Sequence, residues 1–130
     1  TQQEYYSKAD VWPLDPNGEI LVIIQIEDTT GITNLPDMLS SVPGIGIVLI
    51  GEGDLGQELG YPRQYDHPIL LEAIAEIVNI CKKHDVVVGH AHDDVNNMQR
   101  LLDEGFRFIM TTTKRSDVDL EIGLELTGQC

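Results

Sequence analysis

The sequence is short of positive charge. Eight Lys and Arg stand against 22 Asp and Glu in 130 residues, a formal net charge of −14. The eight are scattered, which excludes nucleic acid and anionic membrane surfaces as partners, since both need clustered Lys and Arg. Long apolar runs are also missing: Ile20 to Ile24 is the longest, far below the ~20 residues that span a bilayer. Cysteine is scarce. Cys81 and Cys130 make no disulfide framework, which points to a reducing, cytoplasmic compartment. Cys81 sits in an apolar helical pattern and reads as a small buried hydrophobe. No signal-peptide pattern opens the chain, which begins at Thr1 rather than Met, so a processed product or a fragment is expected. No repeat or low-complexity segment is seen.

What is present is a core-forming chain. With 42% hydrophobic residues it is too apolar for a disordered tail, and its length predicts one domain. Residues 1–18 read as an arm and a turn-rich connector (Trp12, Pro13, Asp15, Pro16, Asn17, Gly18), and 19–130 as the folded domain. Glu19–Ile26 (EILVIIQI) and Ile45–Ile50 (IGIVLI) are β-branched runs that predict strands buried on both faces, hence parallel. Asp85–Gly89 and Phe106–Met110 predict two more.

Helices are expected between the strands. One is capped by Thr30 or Thr33 and ended by Pro43-Gly44. One starts from Asp66 and Pro68 and carries Leu70, Ala73, Ile74, Ile77, Ile80 and Cys81 at helical spacing. One runs from Asp93 or Asp94 to Gly105, and a last one starts from Ser116. GQELGYPRQYD, residues 56–66, reads as a loop. The order is βαβαβαβα, the pattern of parallel α/β architecture. Asp28-Thr29-Thr30-Gly31 after the first strand does not supply the G-x-G-x-x-G turn of an open dinucleotide-binding sheet. A (β/α)₈ barrel needs eight strands, so four βα units amount to half of one.

Chemistry is expected at the carboxyl ends of the strands. Side chains alternate along a strand, so Gln25 and Glu27 point one way while Ile24 and Ile26 point towards helices. Asp54 ends the next unit. Carboxylates on adjacent parallel strands, ~4.8 Å apart, are placed to share a divalent cation, with waters and a chelating ligand completing the sphere. The alternative is that both are solvated loop acids or helix caps.

Gly51-Glu52-Gly53-Asp54 reads either as a tight turn or as a backbone cradle for an anion, with the amides of Gly53 and Asp54 facing a carboxylate. His90-Ala91-His92 projects two imidazoles to one side if it lies on a strand, a zinc-like arrangement that would suit a metal-dependent hydrolase; otherwise both are loop residues. His67 and His84 read as structural. Lys114 and Arg115 are placed either to meet a remote anionic group or to be solvated.

The blocks ILVIIQIEDTTGITNL (20–35), GIGIVLIGEGDLGQELGYPRQYDHPILLEAI (44–74) and VVVGHAHDDVNNMQRLLDEGFRFIMTTTKRS (86–116) resemble the HpcH/HpaI aldolase and citrate lyase family, in its 2,4-dihydroxyhept-2-ene-1,7-dioate aldolase branch. The resemblance runs from Ala9 onward. It implies a (β/α)₈ barrel of about twice this length, of which this chain is the carboxyl-terminal half, strands five to eight. It implies cleavage of 4-hydroxy-2-oxo acids to pyruvate and an aldehyde, with Mg²⁺, Mn²⁺ or Co²⁺ held by Glu27 and Asp54. Gln25 would contact substrate, and Gly53 and Asp54 the pyruvate carboxylate.

The absence of lysine from the strands favours the metal route over a Schiff base. The family's proton-transferring histidine and its arginine come from early strands, and His90 and His92 do not match that histidine. Many relatives have G-P-A-D-L where this chain has Gly51-Glu52-Gly53-Asp54-Leu55, so Glu52 adds an acid beside the site. The family is commonly oligomeric, so self-association, or pairing with a complementary half-barrel, is expected. The chain alone is expected to be weakly active or inactive.

Overall fold

The computed structural model describes residues 1, 4, 8–93, 95–111 and 117–129, with the backbone alone at 92, 93 and 95. Four strands, β3 (Ile23–Ile26), β4 (Ile47–Ile50), β5 (Val87–Asp93) and β6 (Phe108–Thr111), form one parallel sheet in chain order. Helices α1 (Thr29–Ser41), α2 (Glu52–Glu58), α3 (Pro68–Lys83) and α4 (Met98–Glu104) connect them, and α5 (Val118–Thr127) follows β6. The expected parallel α/β order is therefore the fold.

The core lies on one face of the sheet. Ile26, Val48, Ile50 and Val88 meet Ile32 and Leu35 of α1, Leu55 of α2, Leu70, Ile74, Ile77, Ile80 and Cys81 of α3, and Leu101 of α4. The periodicity expected of α3 is its buried stripe. Cys81 is buried within it, and burial pushes its thiol up to about 11. The other face carries Ile23, Ile47, Gln25, Leu49 and Phe108 in register, with Met110 two residues beyond Phe108. It is open on the edge strands, where Ile23 is 40% and Met110 39% exposed, while Ile47 of β4, in register with Ile23, is only 5% exposed. The expectation of strands buried on both faces thus fails for β3, because helices cover one side only.

The run Glu19–Ile26 does not form one strand. Ile20–Leu21 (β2) pairs in parallel with Val11–Trp12 (β1), in a separate two-stranded sheet. The chain breaks step at Val22, whose carbonyl accepts from the amides of Gly46 and Ile47 at 3.0 and 3.2 Å. The connector turns at Asp15 and Gly18 and folds back to supply β1, competition that local apolar character does not reveal.

Several helix starts also differ. Asp28, not Thr30 or Thr33, caps α1, its carboxylate accepting from the amide of Gly31. His67, not Asp66, caps α3: its Nδ1 accepts from the amide of Ile69 at 3.3 Å, and its ring stacks on Tyr61 at 3.5 Å. The span expected as a loop from Gly56 begins inside α2, where burial of Leu55 outweighs two glycines. Asp85, at φ 55°, is a turn residue before β5.

β5 runs on to Asp93, so His90-Ala91-His92 lies in the strand. Asp93 therefore caps no helix; a single 3₁₀ turn, Val95–Asn97, leads into α4, and Gly105 ends it at φ 107° as expected. Asp94, Ser116, Lys114, Arg115 and Cys130 lie outside the described residues.

Candidate functional site

At the carboxyl end of β3 alternation acts as expected. Gln25 and Glu27 share a face, and the Gln25 amide Nε2 donates to Glu27 Oε2 at 2.7 Å. Both side chains are exposed, as is Asp54. Gly51 closes this corner from β4. Its amide donates to the carbonyl of Ile26 at 2.9 Å. A Cβ on Gly51 would lie 2.8 Å from Gln25 Nε2, 2.8 Å from Glu27 Cβ and 3.1 Å from Glu27 Oε2. Glycine is thus required by close approach to the Gln25–Glu27 pair.

Gly51 is the N-cap of α2, so Gly51-Glu52-Gly53-Asp54 is a helix start and not a free turn. The first intrahelical bond runs from the Leu55 amide to the Gly51 carbonyl at 3.0 Å. The amides of Glu52, Gly53 and Asp54 precede it and have no acceptor within the helix. Space beside Gly53 is open: an added Cβ meets nothing within 4 Å. Asp54 lies one turn beyond Gly51, and residues three apart on a helix have Cβ atoms ~5–6 Å apart. Asp54 therefore stands on the turn that abuts Glu27.

Five acids gather here, and their partners separate them. Asp28 caps α1. Glu58, at the end of α2, accepts from the Thr29 amide and hydroxyl, both at 2.7 Å. Glu52 Oε2 pairs with His90 Nε2 at 3.2 Å. Glu27 is held by Gln25. Asp54 makes no side-chain hydrogen bond or ion pair among the described residues. Asp28, Glu52 and Glu58 are thus bonded to helix starts or to His90, whereas Glu27 is held only by Gln25 and Asp54 has no side-chain bond among the described residues. The capping alternative is not met at Asp54, which caps nothing, although an acid in a first turn suits the helix dipole.

Glu52 does not add to this pair. It turns to the helix-covered side of the sheet, where His90 is buried in register with Ile50 and Ile109, edge-on to Phe106 with centroids 5.3 Å apart. Sequence reasoning missed this pair, because nothing local links Glu52 to His90. His90 accordingly faces away from Gln25 and Glu27. The side chain of His92 lies outside the described residues, and the strand register shifts between His90 and Asp93. No group of three or more His, Cys, Asp or Glu among the described residues is arranged to hold a metal ion.

The fold and these strand ends define a βα-barrel type of protein, with acids and backbone amides gathered at the carboxyl ends of its parallel strands. The chain belongs to the HpcH/HpaI aldolase/citrate lyase family, which matches residues 5–116. It is 31% identical over 93 residues to the hydroxypyruvate/pyruvate aldolase of Paraburkholderia phytofirmans, covering 72% of this chain and 35% of that protein. It is 28% identical over 104 residues to the 2-keto-3-deoxy-L-rhamnonate aldolase of Klebsiella pneumoniae, covering 80% and 39%.

Among solved structures, an HpcH/HpaI aldolase/citrate lyase family protein from Burkholderia cenocepacia superposes with a TM-score of 0.67 at 25% identity, covering 99% of this chain and 45% of that one. The HpcH/HpaI aldolase of Desulfitobacterium hafniense shares the fold with a TM-score of 0.69 at 22% identity, covering 91% and 46%. The chain thus spans less than half the length of these relatives.

Proposed function

We propose that the chain is the carboxyl-terminal half-barrel of a metal-dependent 2-oxo acid aldolase acting in the cytoplasm, with residues 1–18 as an arm and 19–130 as the half-barrel. It carries the metal and pyruvate site of an enzyme that cleaves 4-hydroxy-2-oxo acids to pyruvate and an aldehyde. The observation that supports this reading is the separation of acids: Glu27 carries only the bond from Gln25, beside Gly51, and Asp54, three residues beyond Gly51, makes no side-chain bond among the described residues, while Asp28, Glu52 and Glu58 bond to helix starts or to His90.

The donor set fits a hard divalent cation. Two exposed carboxylates, with no soft ligand beside them, suit Mg²⁺, Mn²⁺ or Co²⁺, which keep several sites for water and substrate. When bound, such an ion draws off the negative charge that develops on a 2-oxo acid as its carbon–carbon bond breaks. Gln25 orients Glu27 by its amide N–H and leaves its carbonyl oxygen for substrate. The free amides of Gly53 and Asp54 face the carboxylate of pyruvate. His90, turned to the helix layer, is not assigned proton transfer. The partners are therefore small 2-oxo acids, not nucleic acid. No described helix is long and apolar enough to cross a membrane.

Calorimetric titration with Mn²⁺ tests the reading. The wild-type chain should take up one ion, and Glu27→Gln and Asp54→Asn should each weaken uptake at least tenfold. Uptake unchanged in both variants refutes the assignment. Pyruvate release from a 4-hydroxy-2-oxo acid should be weak or undetectable for this chain alone.

A second reading is favoured by the sheet face that bears Ile23, Leu49, Phe108 and Met110. An apolar face of this kind is covered in a working barrel, so the half-barrel pairs with itself or with a complementary half. A compact monomer in sedimentation velocity counts against that pairing.

A further inference from the structure

α2 is a weak helix by itself. It has seven residues, contains Gly53 and Gly56, and has no side-chain cap. Yet it carries Gly53 and Asp54, so something must fix both its position and its rotation about its axis. Two consecutive residues do so from opposite sides. Gly51 is seated on β3, bonded to the Ile26 carbonyl with no room for a Cβ. Glu52, just past the end of β4, pairs on the other side with His90 of the neighbouring β5, at 3.2 Å. The Glu52 side chain is 20% and the His90 side chain 7% exposed, so the bond is largely removed from water and geometrically demanding. Phe106 packs edge-on against the His90 ring and limits its tilt. Across the same cavity of about 400 Å³, Arg100 is engaged by Glu104 at 3.1 Å.

Residues two apart on a helix are ~200° apart around its axis. Holding Glu52 against His90 on the helix-covered side therefore turns Asp54 to the opposite side, the one that bears Gln25 and Glu27. We infer that the Glu52–His90 pair is a positioning device that sets the rotational phase of α2 and so aims Asp54 at Glu27. The inference rests on the reading of Glu27 and Asp54 as the metal pair. Neither Glu52 nor His90 touches the metal; both act through the backbone of α2.

The test uses the full chain, Mn²⁺ as probe, and amide hydrogen exchange at Leu55, whose bond to Gly51 closes the first turn of α2. Glu52→Ala should speed exchange at Leu55 and weaken Mn²⁺ uptake about 10-fold or more, the usual loss when a group supporting a metal ligand is removed. Glu52→Gln keeps a hydrogen-bonding partner for His90 and removes the charge, so it should restore uptake to within about 3-fold of wild type. His90→Phe fills the space beside Phe106 without the bond and should reproduce Glu52→Ala, even if His90→Ala fails to fold.

If Glu52→Gln is as weak as Glu52→Ala, the effect is one of charge and the positioning role is overturned. Unchanged exchange at Leu55 in Glu52→Ala, with normal Mn²⁺ uptake, overturns it too. Failure of the wild-type chain to take up Mn²⁺ removes the metal reading itself and with it the role given to the pair; the exchange measurement, made without metal, separates that failure from a failure of the clamp.

Discussion

Replacing Gly51 by Ala isolates the contact on which the site geometry depends. At φ −90° and ψ 71° the backbone of Gly51 is open to an L-residue, so the substitution adds steric conflict and little backbone strain. The new Cβ meets Glu27 Cβ and Gln25 Nε2, each at 2.8 Å, where carbon atoms prefer ~3.5–4.0 Å. The Gln25 amide can swing aside. Glu27 Cβ is fixed to the main chain just past β3 and cannot, so the start of α2 must back away from β3. That movement overpacks the junction at ~1–3 kcal/mol and stretches the 2.9 Å bond from Gly51 to Ile26, worth about 1 kcal/mol.

The net expectation is a loss of about 2–3 kcal/mol in urea unfolding followed by far-ultraviolet circular dichroism. Displaced Glu27 should weaken Mn²⁺ uptake in the same variant. Gly53→Ala is the matched control. It sits two residues away, an added Cβ meets nothing within 4 Å, and Ala in a helix is favoured over Gly by about 0.5–1 kcal/mol. A Gly51→Ala protein within ~0.5 kcal/mol of wild type, the range of an ordinary surface change, would refute the close approach of Gly51 to Glu27.

Asp28→Ala and Glu58→Ala should each lower stability by about 1 kcal/mol. Both bond to the first turn of α1, at Gly31 and at Thr29, so their effects should be coupled rather than additive, by ~0.5 kcal/mol or more; urea unfolding of the double variant checks this. The thiol of Cys81 should resist a disulfide reagent at pH 8 until the chain is unfolded, since burial raises its pKa to about 11. The unfolded thiol ionises near ~8.5, so this contribution to stability is whole below that pH and is lost as pH rises towards about 11; unfolding at pH 8 and pH 10.5 shows the fall. Leu35→Ala and Ile77→Ala, both fully buried, should lower stability by ~2–5 kcal/mol each, and a loss under 1 kcal/mol at either would place that residue outside the core.

Local pattern by itself determined a good deal of this protein. β-branched runs between amphipathic segments are enough to specify parallel α/β order, because strand and helix periods are properties of adjacent residues. The stripe of α3, the burial of Cys81 and the shared face of Gln25 and Glu27 follow from the same periods. Tertiary structure decided what depends on competition between distant groups. The run from Glu19 to Ile26 looks uniform, yet Val11–Trp12 claims one part of it and Ile47–Ile50 the other. Glu52 and Asp54 are indistinguishable as acids two residues apart, until His90, 38 positions beyond Glu52, takes one and leaves the other. Charge and spacing say which side chains are able to bind; only packing determines which of them are already bound, since a buried polar group must be satisfied by whatever the fold brings beside it.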